Sequence, residues 1–177
     1  MAITKIQSES LNLADDYAFT GTITGAGGTM TPAFMATNVS GQSIGDNVLT
    51  KVTLTSERLD TDNCYDNSTN YRFTPTTAGK YYCFGNISFN SGADANILEL
   101  AISLYKNGAY STYDYRDIRS NPASYTNYLN TVSIIDFNGT SDYVELYALA
   151  NISSGSMNLD GSSSIDYARF GAFKIIE

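Results

Sequence analysis

The amino-acid sequence predicts an all-β sandwich, and three observations carry that expectation. Of its 177 residues 42% are hydrophobic and only 16% charged, so most of the remainder is Ser, Thr, Asn and Gly. That mixture supplies turns and leaves too few charged side chains for helical surfaces. Aromatic residues are abundant, with 14 Tyr and 8 Phe, and such side chains suit half-buried pleated surfaces. Apolar positions do not recur at helical spacing over any long segment, whereas short runs alternate with a period near two.

Taken in order, residues 3–13 and 17–23 are strand-like runs separated by Ala14-Asp15-Asp16. Gly25-Ala26-Gly27-Gly28 then forms a joint with little side chain to pack. Residues 1–28 are therefore expected to be an N-terminal arm, and residues 29–177 a single β domain. Residues 32–36 make a short apolar strand. Residues 48–54 alternate at Val48, Thr50, Val52 and Leu54, as a half-buried strand does. The Asp, Asn, Ser and Thr of residues 60–70 predict a loop. A dense strand follows over 80–89, in which Tyr81, Cys83, Gly85, Ile87 and Phe89 share one face and Tyr82, Phe84, Asn86 and Ser88 the other. Residues 97–105 form a strand that ends at Lys106-Asn107-Gly108-Ala109, the strongest short hairpin signal in the chain. Residues 131–137 and 142–150 are expected to pair around Asn138-Gly139, and residues 167–176 form the last strand.

The charge balance narrows function. A formal net charge of −8 opposes nucleic acid, whose phosphates need clustered Lys and Arg. No apolar run reaches the roughly 20 residues that span a bilayer, so no membrane insertion is expected. The first residues contain no apolar signal core, which predicts synthesis in a cytosol. Histidine is absent, removing the commonest general base and metal ligand. Cys64 and Cys83 are expected to be small buried hydrophobes, since neither has a basic neighbour in sequence.

Candidate chemistry is correspondingly thin. Asp60-x-Asp62-Asn63 with Asp66 has the look of a calcium loop, but the sixth and twelfth positions hold Tyr65 and Tyr71 instead of Gly and Glu. Local turns held by Asp and Asn side chains explain the run, and no metal is assigned. Glu99, Asp114, Asp117, Asp136, Asp142 and Glu145 offer carboxylates with nothing that selects a pair. Gly25-x-Gly27-Gly28 is followed by no Lys and no helix, so it is not a phosphate loop. The expectation is a non-enzymatic protein without cofactors.

The run Tyr65-Asp66-x-x-Thr69-Asn70-x-x-Phe73-Thr74-x-x-x-x-Gly79-x-Tyr81 resembles the globular head of the first complement component. Ala33-Phe34, the Lys106-Asn107-Gly108 hairpin, Asp142-x-Val144-x-Leu146 and Phe170-Gly171-Ala172-Phe173 fall where that family and its tumour necrosis factor relatives place equivalents. The resemblance covers residues 32–177. It implies a ten-strand antiparallel jelly roll that assembles as a homotrimer around a threefold axis, with Tyr82 and Phe84 at the trimer interface. The chain departs from the family pattern in having Cys83 where a core aromatic is expected, and Gly139 displaced from its usual place beside Asp142. Residues 11–27, from Leu11-Asn12-Leu13 to Gly25-Ala26-Gly27, resemble leaders that precede such domains in structural proteins of tailed, particularly marine, bacteriophages. That second resemblance implies a virion location, on which the arm would dock through Leu11, Leu13, Tyr17, Phe19 and Ile23.

Two roles are then expected to compete. One is capsid decoration, with capsid or tail proteins and the chain itself as partners. The other is a tail-fibre tip or adhesin that recognises a host surface sugar or protein. Tyr105, Tyr110, Tyr113, Tyr115, Tyr125 and Tyr128 crowd one stretch of the sequence beside Arg116, Asp117 and Arg119. Tyrosine presents a rigid apolar ring with a polar tip, so Tyr110, Tyr113, Tyr115, Tyr125 and Tyr128 are the candidates for surface recognition. The competing expectation is that these rings pack between subunits or cover a sandwich edge.

Overall fold

A computed structural model describes residues 30–91, 97–120 and 125–175. The arm residues Leu11, Leu13, Tyr17, Phe19 and Ile23 lie outside the described residues. Among the described residues thirteen β-strands run in chain order as β1 (Ala33–Thr37), β2 (Gln42–Ile44), β3 (Thr50–Lys51), β4 (Ser56–Asp60), β5 (Tyr65–Asp66), β6 (Arg72–Phe73), β7 (Gly79–Asn90), β8 (Ile97–Lys106), β9 (Ala109–Asp117), β10 (Thr126–Phe137), β11 (Val144–Ile152), β12 (Met157–Leu159) and β13 (Ala168–Lys174). No helix occurs among the described residues. The all-β expectation holds, and several of the strands among the described residues are only two or three residues long.

The strands divide between two antiparallel sheets. The first has the order β2-β12-β7-β13-β1-β4, with β10 on the other flank of β7. The second has the order β5-β6-β11-β8-β9, with β3 also on β11. Alternation along β7 works as the sequence predicts: Tyr81, Cys83, Ile87 and Phe89 are all buried between the sheets. They meet Leu100, Ile102 and Leu104 of β8 and Val144, Leu146, Ala148 and Ala150 of β11 in one contiguous core. Near one end Phe34 stacks on Tyr65 and Phe73 at centroid distances of 4.8 and 4.4 Å, with Phe170 edge-on at 4.9 Å. Cys64 and Cys83 are free thiols inside this core, and burial pushes the Cys83 thiol well up.

Several local expectations need correction. Residues 131–137 and 142–150 do not pair: β10 joins β7 in the first sheet and β11 joins β8 in the second. Asn138 explains the difference, because its Oδ1 accepts N–H groups from Thr140, Ser141 and Asp142. That builds a wide turn which carries the chain from sheet to sheet, where a two-residue hairpin would have kept it in one. Residues 48–54 contribute only the two residues of β3, with Val52 and Leu54 buried but Val48 54% exposed. The stretch 60–70 is not all loop, since it contains β5 and its carboxylates are structural. Asp60 accepts N–H groups from Cys64 and Tyr65 at 3.0 and 2.9 Å. Asp66 accepts those of Ser68, Thr69 and Asn70 at 3.1, 2.8 and 3.1 Å. The Asn107-Gly108 hairpin forms as expected, with φ of +52° and +78° at its two turn residues.

Candidate functional site

The outward faces of the two sheets differ in chemistry, and each collects residues far apart in sequence. On the first sheet, cross-strand register sets side chains in rows. Ile134 of β10, Tyr82 of β7 and Phe173 of β13 form one row. Val132, Phe84, Gly171, Met35 of β1 and Leu59 of β4 form the next. The row beyond is polar, with Asn130, Asn86 and Arg169. Tyr82 stacks on Phe173 at 5.3 Å and lies 6.3 Å from Phe84. A side chain at Gly171 would meet the Phe84 ring at 2.5 Å. The absence of one there leaves the space over Gly171 to the Phe84 ring.

Both apolar rows reach solvent. Ile134 is 61% exposed, Leu59 48%, Val132 47% and Tyr82 37%. Exposed aliphatic and aromatic side chains contiguous over five strands mark an interaction surface. The polar row borders a shallow depression of about 340 Å³ lined by Asn86, Tyr128, Asn130, Asp166, Tyr167 and Arg169. Asp166 is held there below the usual carboxylate range, chiefly by the Arg58 guanidinium at 2.8 Å.

The second sheet presents tyrosines. Tyr147 of β11, Tyr105 of β8 and Tyr110, Tyr113 and Tyr115 of β9 form one continuous row of rings. Successive centroids lie 4.6, 4.4, 6.4 and 6.0 Å apart. Pairing explains the order, because Tyr105 stands opposite Tyr110, Ser103 opposite Tyr113 and Ala101 opposite Tyr115. The small Ser103 and Ala101 are covered by the rings of β9, and both are buried on what would otherwise be the open face. Tyr105 is buried as well, which pushes its phenol far up, whereas Tyr110, Tyr113 and Tyr115 are 65%, 56% and 42% exposed.

Fixed charges close both ends of this row. At one end Lys51 pairs with the buried Glu145 at 2.5 Å and lies 5.8 Å over the Tyr147 ring. At the other, the Tyr115 hydroxyl and the Asn151 amide hold the Glu99 carboxyl below its ordinary value. In turn Glu99 raises the Tyr115 phenol. Arg119 holds Asp117 down to about 2 by hydrogen bonds. At that end the Glu99 and Asp117 carboxylates share the single Arg119 guanidinium, so negative charge is in excess there.

The structure separates the tyrosines that the sequence crowds together. Tyr110, Tyr113 and Tyr115 share the second sheet's outer face, whereas Tyr128 lies on β10 of the first sheet opposite Ser88, and Tyr125 just precedes it. Tyr147, Met35, Leu59, Val132 and Ile134 belong to these faces without standing out in the sequence, and Phe173 stands out there only as part of the Phe170–Phe173 motif. A signal for Val132 and Ile134 does exist. Leu129, Thr131 and Ile135 already supply an inward phase, so the apolar residues in between put hydrophobic side chains on the outer face of β10 as well. Among the described residues no group of three or more Cys, Asp and Glu side chains comes together to hold a metal ion.

Known structures share this architecture. The globular domain of zebrafish complement 1qA protein is similar at a TM-score of 0.57 and 15% identity, covering 82% of this chain and 98% of that one. Murine APRIL gives 0.57 and 13%, covering 81% and 98%, and Eiger TNF from S. frugiperda gives 0.59 and 8%, covering 81% and 91%. The chain has the jelly-roll fold of complement heads and tumour necrosis factors. No family model matches it. No curated protein matches it in sequence.

Proposed function

We propose that this chain is a non-enzymatic, trimeric structural protein displayed on the virion of a tailed bacteriophage, where it decorates the capsid. The observation that carries the assembly is the pair of apolar rows on the first sheet, from Ile134, Tyr82 and Phe173 to Val132, Phe84, Met35 and Leu59. A five-strand apolar face is what a second and third copy of the same chain would cover, and jelly-roll relatives of the complement and tumour necrosis factor kind lend the trimer its precedent. The phage reading is supported by the likeness of residues 11–27 to phage leaders. A trimer suits local threefold positions of an icosahedral shell. An arm that adds its backbone to a neighbouring sheet gives attachment without a deep pocket, with Leu11, Leu13, Tyr17, Phe19 and Ile23 as the docking side chains.

The tyrosine row favours a second reading, in which the chain is a tail-fibre tip or adhesin facing the host surface. Copy number separates the two. Quantified protein bands of purified virions should give hundreds of copies per particle for decoration and tens for a fibre. Absence from purified particles overturns both. Removing residues 1–24 should abolish attachment of the decorating protein while leaving it folded.

A further inference from the structure

We infer that the tyrosine row of the second sheet is a binding platform for a linear, uncharged polysaccharide built of hexopyranose rings. The row runs Tyr147, Tyr105, Tyr110, Tyr113, Tyr115 across three strands. Its exposed part, from Tyr110 to Tyr115, carries three rings on one edge strand at near-even spacings of 6.4 and 6.0 Å, with successive ring planes turned by 67° and 43°. An aromatic face is electron-rich at its centre, and the axial C–H bonds of a pyranose ring carry partial positive charge, so the two stack face to face. A row of rings at regular spacing complements a row of sugar rings.

Three further features select the class. The row is open to solvent, with a shallow depression of about 430 Å³ lined by Tyr110 and Tyr113, so it suits the middle of a chain. No exposed aliphatic side chain interrupts Tyr110, Tyr113 and Tyr115, and the Tyr115 hydroxyl, already bonded to Glu99, keeps an oxygen lone pair that can accept from a sugar hydroxyl. Glu99 and Asn151, bonded to each other at 3.1 Å, and Asp117, held by Arg119, stand at the end of the row as fixed polar groups. Their carboxylates are ionised at neutral pH, and the whole chain carries −8, so charge complementarity turns away uronates and sulfated glycans. Binding of this kind deepens the recognition reading above and does not depend on self-assembly.

The test is a titration of the full chain with hexasaccharides of β-1,4-linked glucose, α-1,4-linked glucose and β-1,4-linked mannose, against α-1,4-linked galacturonate. With 14 Tyr and no Trp, intrinsic fluorescence reports tyrosine alone, and calorimetry gives the affinity. At least one neutral hexamer should bind, more tightly than its own disaccharide. Tyr113→Ala and Tyr110→Ala should each weaken it about tenfold, Tyr113→Phe should retain it, and Tyr128→Ala on the other sheet should leave it unchanged. Circular dichroism should show both alanine variants folded. Failure of all three neutral hexamers at millimolar concentration overturns the inference. So does equal binding of galacturonate, indifference to both alanine substitutions, or unfolding of both variants, which would make the rings structural. Light scattering on the same samples reports the oligomer separately, so loss of sugar binding and loss of the trimer cannot be confused.

Discussion

Ile134→Asp is the sharpest probe of self-assembly. Ile134 keeps 61% of its surface exposed in the protomer, on the outer apolar row beside Tyr82. Complete burial of such a side chain is worth about 1.5–3 kcal/mol, so covering what remains contributes about 1–2 kcal/mol per protomer and about 3–5 kcal/mol per trimer. The aspartate forfeits that and adds three carboxylates brought together out of water, each costing several kcal/mol if left unpaired. Trimer dissociation should therefore become easier by about three orders of magnitude or more. Within the protomer the position faces solvent, so the fold itself should be almost unaffected. Light scattering at micromolar concentration should give about three times 19.2 kDa for the natural chain and 19.2 kDa for the variant, with superimposable far-ultraviolet spectra. A natural chain that runs as a monomer, or a variant that stays trimeric, refutes the assignment of this face.

Two further predictions concern what holds the sandwich. Phe34→Ala removes a ring packed against Tyr65, Phe73 and Phe170 and should cost about 3–5 kcal/mol in denaturant unfolding, while a loss under about 1.5 kcal/mol would mean the aromatic cluster relaxes to fill the gap. Asp66 is held well below the ordinary carboxylate range by N–H groups of Thr69 and Ser68 first, then by Asn70. Its contribution, about 1 kcal/mol for so solvent-accessible a group, is complete above the ordinary pKa near 4 and is lost as pH falls through the lowered folded value. Melting temperature should drop less on acidification in Asp66→Asn than in the natural chain. Parallel acid limbs would contradict this.

What the sequence determined by itself is local. Composition and two-residue alternation specify strands, because each strand's pattern is written in neighbouring residues. The inward set on β7 and the Asn107-Gly108 turn are examples: one needs only a period, the other only two residues that tolerate positive φ. The apolar character of Tyr82 and Phe84 on the other phase of β7 was equally legible. Which strands lie side by side was not. The turn at Asn138 sends β10 and β11 to different sheets through side-chain bonds that no propensity announces. Both candidate faces depend on that sorting. Ile134, Tyr82 and Phe173 become a row only because β10 and β13 flank β7, and Tyr147 joins Tyr105 and Tyr110 only because β11 lies on β8. Conversely, Tyr125 and Tyr128 are near Tyr115 in sequence and on another sheet in space. Register between strands is set by how the whole core closes, a long-range condition, and so which side chains share a surface row was decided by tertiary structure.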